Sequence, residues 1–158
     1  AYSESFEFTE RTVGDIAIPL DEVVSLDLDS TPDEFEHAVG RTGFSRFVMR
    51  EADGELVGYL HLKDVMTIPE ERAEQPIPIT RLRSLANLGT DVEVEDALAT
   101  MQRTGSHVAR VQDGAGELVG ILFFEDVLEQ LVGEIRDATQ QQGERRYSVG
   151  HEDDETAE

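Results

Sequence analysis

Few side chains in this chain could do chemistry, and those few suit binding better than reaction. Cysteine is absent, which excludes thiolate nucleophiles, thiolate metal sites and disulfides together. The four histidines, His37, His61, His107 and His151, are scattered, and no two share a helical face at the spacing a zinc site needs. Acidic pairs such as Asp21-Glu22 and Glu70-Glu71 read as solvated charge, because magnesium keeps most of its water and rarely sits in an all-protein cage. Gly114 and Gly116 belong to a hairpin turn that precedes no helix, so they fail the context test for a dinucleotide cradle. No nucleophile elbow or acid–base pair is recognisable, and an enzyme is not expected. Two aspartates, Asp64 and Asp126, remain, each near the start of a predicted helix, together with Arg46 behind Phe44 and Ser45. A carboxylate can accept two hydrogen bonds at once, and a guanidinium pairs its planar fork with phosphate oxygens. Plainer roles compete: an aspartate caps a helix, an arginine joins a surface ion pair, and Phe44 packs in a core.

The elements that must position these residues come in duplicate. Residues 41–65 and 103–127 align at a constant offset of 62, with 11 of 25 positions identical. Arg41-Thr42-Gly43 returns as Arg103-Thr104-Gly105, Glu55-Leu56-Val57-Gly58 as Glu117-Leu118-Val119-Gly120, and Asp64-Val65 as Asp126-Val127. In the first copy Thr31-Pro32-Asp33-Glu34 signals a helix start with a capping box, and Phe35, Ala38 and Val39 form its apolar face before Gly43 ends it. Val94, Ala97, Leu98 and Met101 form the matching face before Gly105, behind a weaker cap. Each helix is followed by an extended stretch (46–49 or 108–111), a turn through Asp53-Gly54 or 113–116, and a second extended run (56–62 or 118–124). These runs are mostly apolar, as expected of strands covered by helices on both sides. A second helix is predicted near Asp64 or Asp126, and Val127, Leu128, Leu131, Val132 and Ile135 give the later one a long apolar stripe. Adding strands at Val23–Leu26 and Leu85–Leu88, each unit reads strand, helix, strand, strand, helix, an α+β architecture with two pseudo-twofold related repeats.

The chain of 158 residues carries 35 acidic and 13 basic side chains, a formal charge of −22. Such a surface repels phosphate backbones and anionic lipids, so no nucleic-acid partner is expected. No apolar run approaches the roughly 18 residues that cross a bilayer. Pro69, Pro76 and Pro78 mark 67–80 as an irregular linker. We divide the chain into an N-terminal segment (1–11), a first repeat (12–66), the linker, a second repeat (81–136) and an acidic tail (137–158) read as disordered. A start at Ala1 without a signal segment reads as a fragment of a longer protein.

At this point the residues resemble a family. The tandem repeat is similar to the CBS domain pair, or Bateman module, and more narrowly to the pair in CorC and cyclin M (CNNM) type magnesium and cobalt transporters, the hemolysin-like family. The resemblance covers about residues 12–136. It is carried by Thr12-Val13-Gly14-Asp15-Ile16-Ala17-Ile18-Pro19-Leu20-Asp21, by Gly43-Phe44-Ser45-Arg46-Phe47, by Ser106-His107-Val108-Ala109, and by the closing helix from Glu125 to Ile135. It implies a regulatory module on the cytoplasmic side of the membrane, behind a transmembrane domain of the parent chain and associating as a homodimer. It further implies an adenine nucleotide (ATP, ADP or AMP), with magnesium accompanying it, in the cleft between the repeats. The site residues so implied are Phe44, Ser45, Arg46, Asp64, His107, Phe123 and Asp126. Asp126 would hold the ribose hydroxyls, Arg46 a phosphate and Phe44 the adenine; Asp64 is the weaker candidate, better read as a helix cap. Relatives carry a threonine that meets phosphate at position 123, where this chain has Phe123. Without that donor, nucleotides with fewer phosphates or none are expected to be favoured. A structural dimerisation module without a ligand is the alternative reading.

Overall fold

Thr31 starts the first long helix by a reciprocal cap: its Oγ1 accepts from the Glu34 N–H at 3.1 Å, and Glu34 Oε1 accepts from the Thr31 N–H at 3.0 Å. Pro32 occupies the first turn, where its missing N–H costs nothing. The helix ends at Gly43 with φ 78°, and its counterpart ends at Gly105 with φ 71°. These left-handed caps explain why Thr-Gly recurs in both copies. The structure, a computed structural model, describes residues 11–139.

The first repeat contains β2 (Ser25–Asp27), α2 (Pro32–Thr42), β3 (Arg46–Arg50), β4 (Leu56–His61) and α3 (Leu62–Met66). The second contains β5 (Ala86–Gly89), α4 (Val94–Thr104), β6 (Val108–Gln112), β7 (Leu118–Phe123) and α5 (124–139). In each, the first strand runs parallel to the second, and the second pairs antiparallel with the third. The order strand, helix, strand, strand, helix therefore appears twice, as the repeat predicts. Both closing helices begin two residues before their aspartates, so Asp64 and Asp126 occupy the third helical position. Helix α5 runs through 139, into the stretch assigned to the tail; the rest of that stretch and the first ten residues lie outside the described residues.

The covering of the strands differs from the expectation. Helices cover only one side of each sheet, around Phe35, Phe47 and Leu60 in the first repeat and Val94, Met101 and Leu122 in the second. The other sides meet: Val48, Leu56 and Tyr59 of one repeat pack against Leu85, Val108 and Ile121 leading into or within the other. Parallel and mixed strands buried on both faces look the same in sequence whichever element covers them. Removing these six side chains from water contributes on the order of 10 kcal/mol, so the repeats hold together as one body.

The repeats also exchange edges. The opening segment forms α1 (Val13–Ile16) and β1 (Ile18–Pro19), and it joins the second repeat rather than the first. Val13 is fully buried there, its N–H donating to Val92 O at 2.8 Å, and β1 pairs with β7. Correspondingly, the chain entering the second repeat bridges back to the first, with Tyr59 and Arg83 exchanging two N–H···O bonds of 2.9 Å. Both crossings pass directly over a glycine. A Cβ on Gly58 would lie 2.5 Å from Leu82 Cγ and 2.7 Å from Arg83 O, and one on Gly120 would lie 2.4 Å from Ile18 O. The repeated Glu-Leu-Val-Gly thus marks where a strand must admit its neighbour's backbone.

The linker is not loose. It contains 3₁₀ turns at Glu70–Arg72 and Ile79–Arg81, and Ile77 is buried in the first repeat's core with its N–H on Ser30 O at 3.0 Å. Among the described residues no helix is long and apolar enough to cross a membrane.

Candidate functional site

The sharp turn at Gly43 exposes Phe44 and Ser45 before β3 starts at Arg46. Phe44 stays 52% exposed, its ring 6.2 Å from that of the fully buried Phe47. Arg46 pairs in register with His61 at the end of β4. Opposite them, β7 ends at Phe123 and α5 begins, carrying Glu125 and Asp126. These two ends, one from each repeat, enclose a cleft of about 460 Å³ lined by Val24, Gly43, Phe44, Ser45, Arg46, His61, Phe123, Glu125 and Asp126. That volume falls within the ~300–1,000 Å³ usual for small-molecule sites.

Five of the seven residues implied by the sequence line this cleft: Phe44, Ser45, Arg46, Phe123 and Asp126. His107 borders it without lining it. Its Nδ1 lies 3.4 Å from Nη2 of Arg46, its ring is 5.0 Å from that of Phe124, and its N–H donates to the Tyr59 hydroxyl at 3.0 Å. Asp64 stands apart, committed to its own scaffold. Its Oδ2 accepts from the His61 N–H at 2.9 Å, and both carboxylate oxygens accept from Arg83 at 2.8 and 2.7 Å. The Arg83 hydrogen bond is the main reason its carboxyl stays below the usual aspartate range, outweighing an opposing effect of burial. Asp64 is therefore a cap and an ion-pair partner.

Asp126 differs in each respect. Among the described residues no donor reaches its carboxylate. Burial, and then the nearby Glu129 and Glu125, push its pKa upward. A half-buried carboxylate with free acceptor capacity at the mouth of a cleft is able to take two hydroxyl donors from one ligand. Phe123 is half-buried, packed against the inter-sheet core while also lining the cleft. It offers shape and no hydrogen bond.

Val24, Gly43, His61 and Glu125 also line the cleft, although the seven implied site residues do not include them. Glu125 adjoins Asp126 in the repeated motif, where its counterpart is Lys63; that reversal of charge between equivalent positions was the available signal. In the folded chain Glu125 Oε1 accepts from Arg46 Nη1 at 2.7 Å, an ion pair across the two repeats. His61 is held toward its neutral form, first by burial and then by Arg46 and Lys63. Its Nδ1 accepts from the Lys63 N–H at 2.9 Å.

Comparison with known proteins agrees with this architecture. The CBS domain family model matches residues 13–71 and again 83–133. An uncharacterized protein of Mycobacterium tuberculosis is 36% identical over 134 residues, a match covering 82% of this chain and 39% of that protein. The chain thus spans well under half the length of such relatives. Among solved structures, the CBS domain of a bacterial CNNM/CorC family Mg²⁺ transporter in complex with ATP superposes with a TM-score of 0.72 at 22% identity, covering 84% of this chain and 99% of that one. A CBS-domain pair with bound AMP from Klebsiella pneumoniae gives 0.60 at 21% identity, covering 77% and 98%. The two matched segments, the duplicated topology and the sheet-to-sheet core together establish that this chain belongs to the CBS domain family and carries its domain in tandem.

Proposed function

We propose that the chain is the regulatory CBS pair of a CorC/CNNM-type divalent-cation transporter and that it binds an adenine nucleoside or nucleotide in the inter-repeat cleft. The observation that carries this reading is that the Asp126 carboxylate, unpaired among the described residues, shares with Arg46 one cleft built by both repeats. Asp126 would take the ribose diol, and the exposed Phe44 ring and Phe123 would flank the base. Arg46 would meet the first phosphate. The solved CBS pairs with ATP and with AMP support the ligand class. Magnesium would accompany a polyphosphate as its counterion. The module acts by binding and not by catalysis, through a population shift: a ligand held by both repeats favours one relative arrangement and biases the membrane-embedded part of the parent chain on its cytoplasmic side.

Phe123 supplies no donor where a hydroxyl would meet phosphate. A hydrogen bond to a charged group contributes about 1.5–3 kcal/mol, roughly ten- to a hundredfold in affinity. Adenosine and AMP are accordingly expected to bind more tightly than ATP. Calorimetry with the three ligands tests this, with Phe123→Thr expected to improve ATP about tenfold. Unchanged ATP affinity in that variant would remove the assigned phosphate position, and no binding by any of the three would favour a purely structural pair.

The partner we propose is a second copy. Leu128, Val132 and Ile135 recur on one side of α5 and remain 38%, 43% and 54% exposed, whereas Val127 is buried and Leu131 packs on the core. A one-sided stripe of this kind suits a self-complementary helix contact. Sedimentation at micromolar concentration and moderate salt should show a dimer that Val132→Glu dissociates; a monomeric wild type would contradict it.

A further inference from the structure

Among the described residues Arg46 is the one cationic side chain lining the cleft, and its two terminal nitrogens are already directed at protein partners. Nη1 donates to Glu125 Oε1 at 2.7 Å, and Nη2 lies 3.4 Å from His107 Nδ1. The remaining charged groups in the lining are carboxylates, Glu125 and Asp126, and His61 is held toward neutrality. One positive charge therefore faces two negative ones, in a chain whose formal charge is −22. A phosphate entering this cleft meets an arginine already paired with an internal anion, with a further carboxylate beside it. The ribose-binding group is under no such constraint, because among the described residues Asp126 has no donor to give up.

We propose that Glu125 is a specificity-determining residue that stands in for the ligand's phosphate on Arg46 and thereby selects for nucleosides over their phosphates. This rests on the cleft being the adenine-ligand site. The Glu125 side chain is 54% exposed and that of Arg46 is 23% exposed. An ion pair with one member in solvent is weak enough to open, so Glu125 competes with phosphate without sealing the cleft. The pair also joins β3 of the first repeat to α5 of the second. A phosphate that displaces Glu125 breaks an inter-repeat contact as it binds, whereas a nucleoside leaves that contact in place. Nucleoside and nucleotide would thus hold the repeats differently while using the same Asp126.

The test is the ratio of AMP to adenosine affinity, measured by calorimetry in the full chain at fixed ionic strength. Glu125→Gln keeps the shape and removes the charge. It is expected to raise that ratio about 3- to 10-fold, the effect of one charge about 4–6 Å away in a largely water-like dielectric. In an Arg46→Gln background the same substitution should raise the ratio much less, because the competition has lost its object. An unchanged ratio overturns the proposal. So does a rise of equal size in the Arg46→Gln background, which would make Glu125 a general repelling charge. If neither adenosine nor AMP binds the wild type or Glu125→Gln, the cleft is not an adenine site and the proposal falls with that reading; adenosine binding with an unmoved ratio defeats the proposal alone.

Discussion

Asp64 and Asp126 occupy the same position of the same motif, 62 residues apart, and have opposite fates. The first repeat spends its aspartate on stability: Arg83, delivered by the exchanged chain segment, grips both oxygens while the His61 N–H completes the cap. The second repeat leaves its aspartate with no donor among the described residues, beside Glu125 and Glu129, where burial disfavours its charge. One half of the pair has closed its potential site with an arginine from the crossing segment, and the other half has kept an electrostatically unfavourable carboxylate open to a ligand. An identical residue at an equivalent position therefore does not imply an equivalent role; the segment crossing from the other repeat decides it.

The crossings themselves give the largest expected effect. Gly120→Ala forces a methyl against the backbone oxygen of Ile18, and Gly58→Ala against Leu82 and Arg83 O. We expect losses of about 3 and 2 kcal/mol respectively, the first larger because a backbone cannot swing aside as a leucine side chain can. Gly114→Ala, with nothing within 4 Å of the added atom, should stay within about 0.5 kcal/mol of wild type. Urea denaturation of the three variants checks this; equal losses at 58, 114 and 120 would mean that exchanged edges do not hold the repeats together.

The aspartates should then separate in sign. Asp64→Asn loses an ion-paired acceptor and is expected to destabilise by about 1–2 kcal/mol at pH 7, a value reduced because Arg83 is half exposed. The Asp64 carboxyl is held below its usual 3.8, so its contribution is present above that pH and is lost as pH falls through the depressed folded value. Asp126→Asn should stabilise by about 0.5 kcal/mol at pH 7, since a poorly solvated charge among like charges disappears. The Asp126 carboxyl titrates above 3.8, so the wild-type deficit is absent below that pH and develops as pH rises through the folded value. Denaturation of both variants at pH 7 and pH 3 should show opposite differences at the first pH; at the second that of Asp126→Asn should vanish and that of Asp64→Asn should be smaller than at pH 7. Destabilisation of both variants at pH 7 would erase the contrast.

Much of the fold was legible because it is local and repeated. Caps at Thr31 and Gly43, apolar spacing in the helices and aspartate–glycine turns each depend on near neighbours, and their duplication fixed the tandem organisation. What covers the second side of each sheet was not legible, because Val48, Tyr59, Val108 and Ile121 are as apolar against a sheet as against a helix. The placement of the opening segment on the second repeat was hidden for a related reason: chain order does not reveal an exchanged edge, although the repeated Gly58 and Gly120 were its trace. The cleft was half visible. Phe44, Ser45, Arg46, Phe123 and Asp126, named as candidates from the sequence, line one cleft, but the Arg46–Glu125 and Arg83–Asp64 pairs join residues 79 and 19 positions apart, and only the folded arrangement shows which carboxylate each arginine has taken.

In the proposed function the cleft headed by Asp126 takes the ligand and the equivalent place at Asp64 does not. Calorimetric titration of adenosine into wild type, Asp64→Asn and Asp126→Asn tests it most directly. We predict one ligand per chain for wild type and for Asp64→Asn, and an affinity at least tenfold weaker, on the scale of about 1.5–3 kcal/mol, for Asp126→Asn. Two ligands per chain, or binding that survives in Asp126→Asn and is lost in Asp64→Asn, would contradict the account.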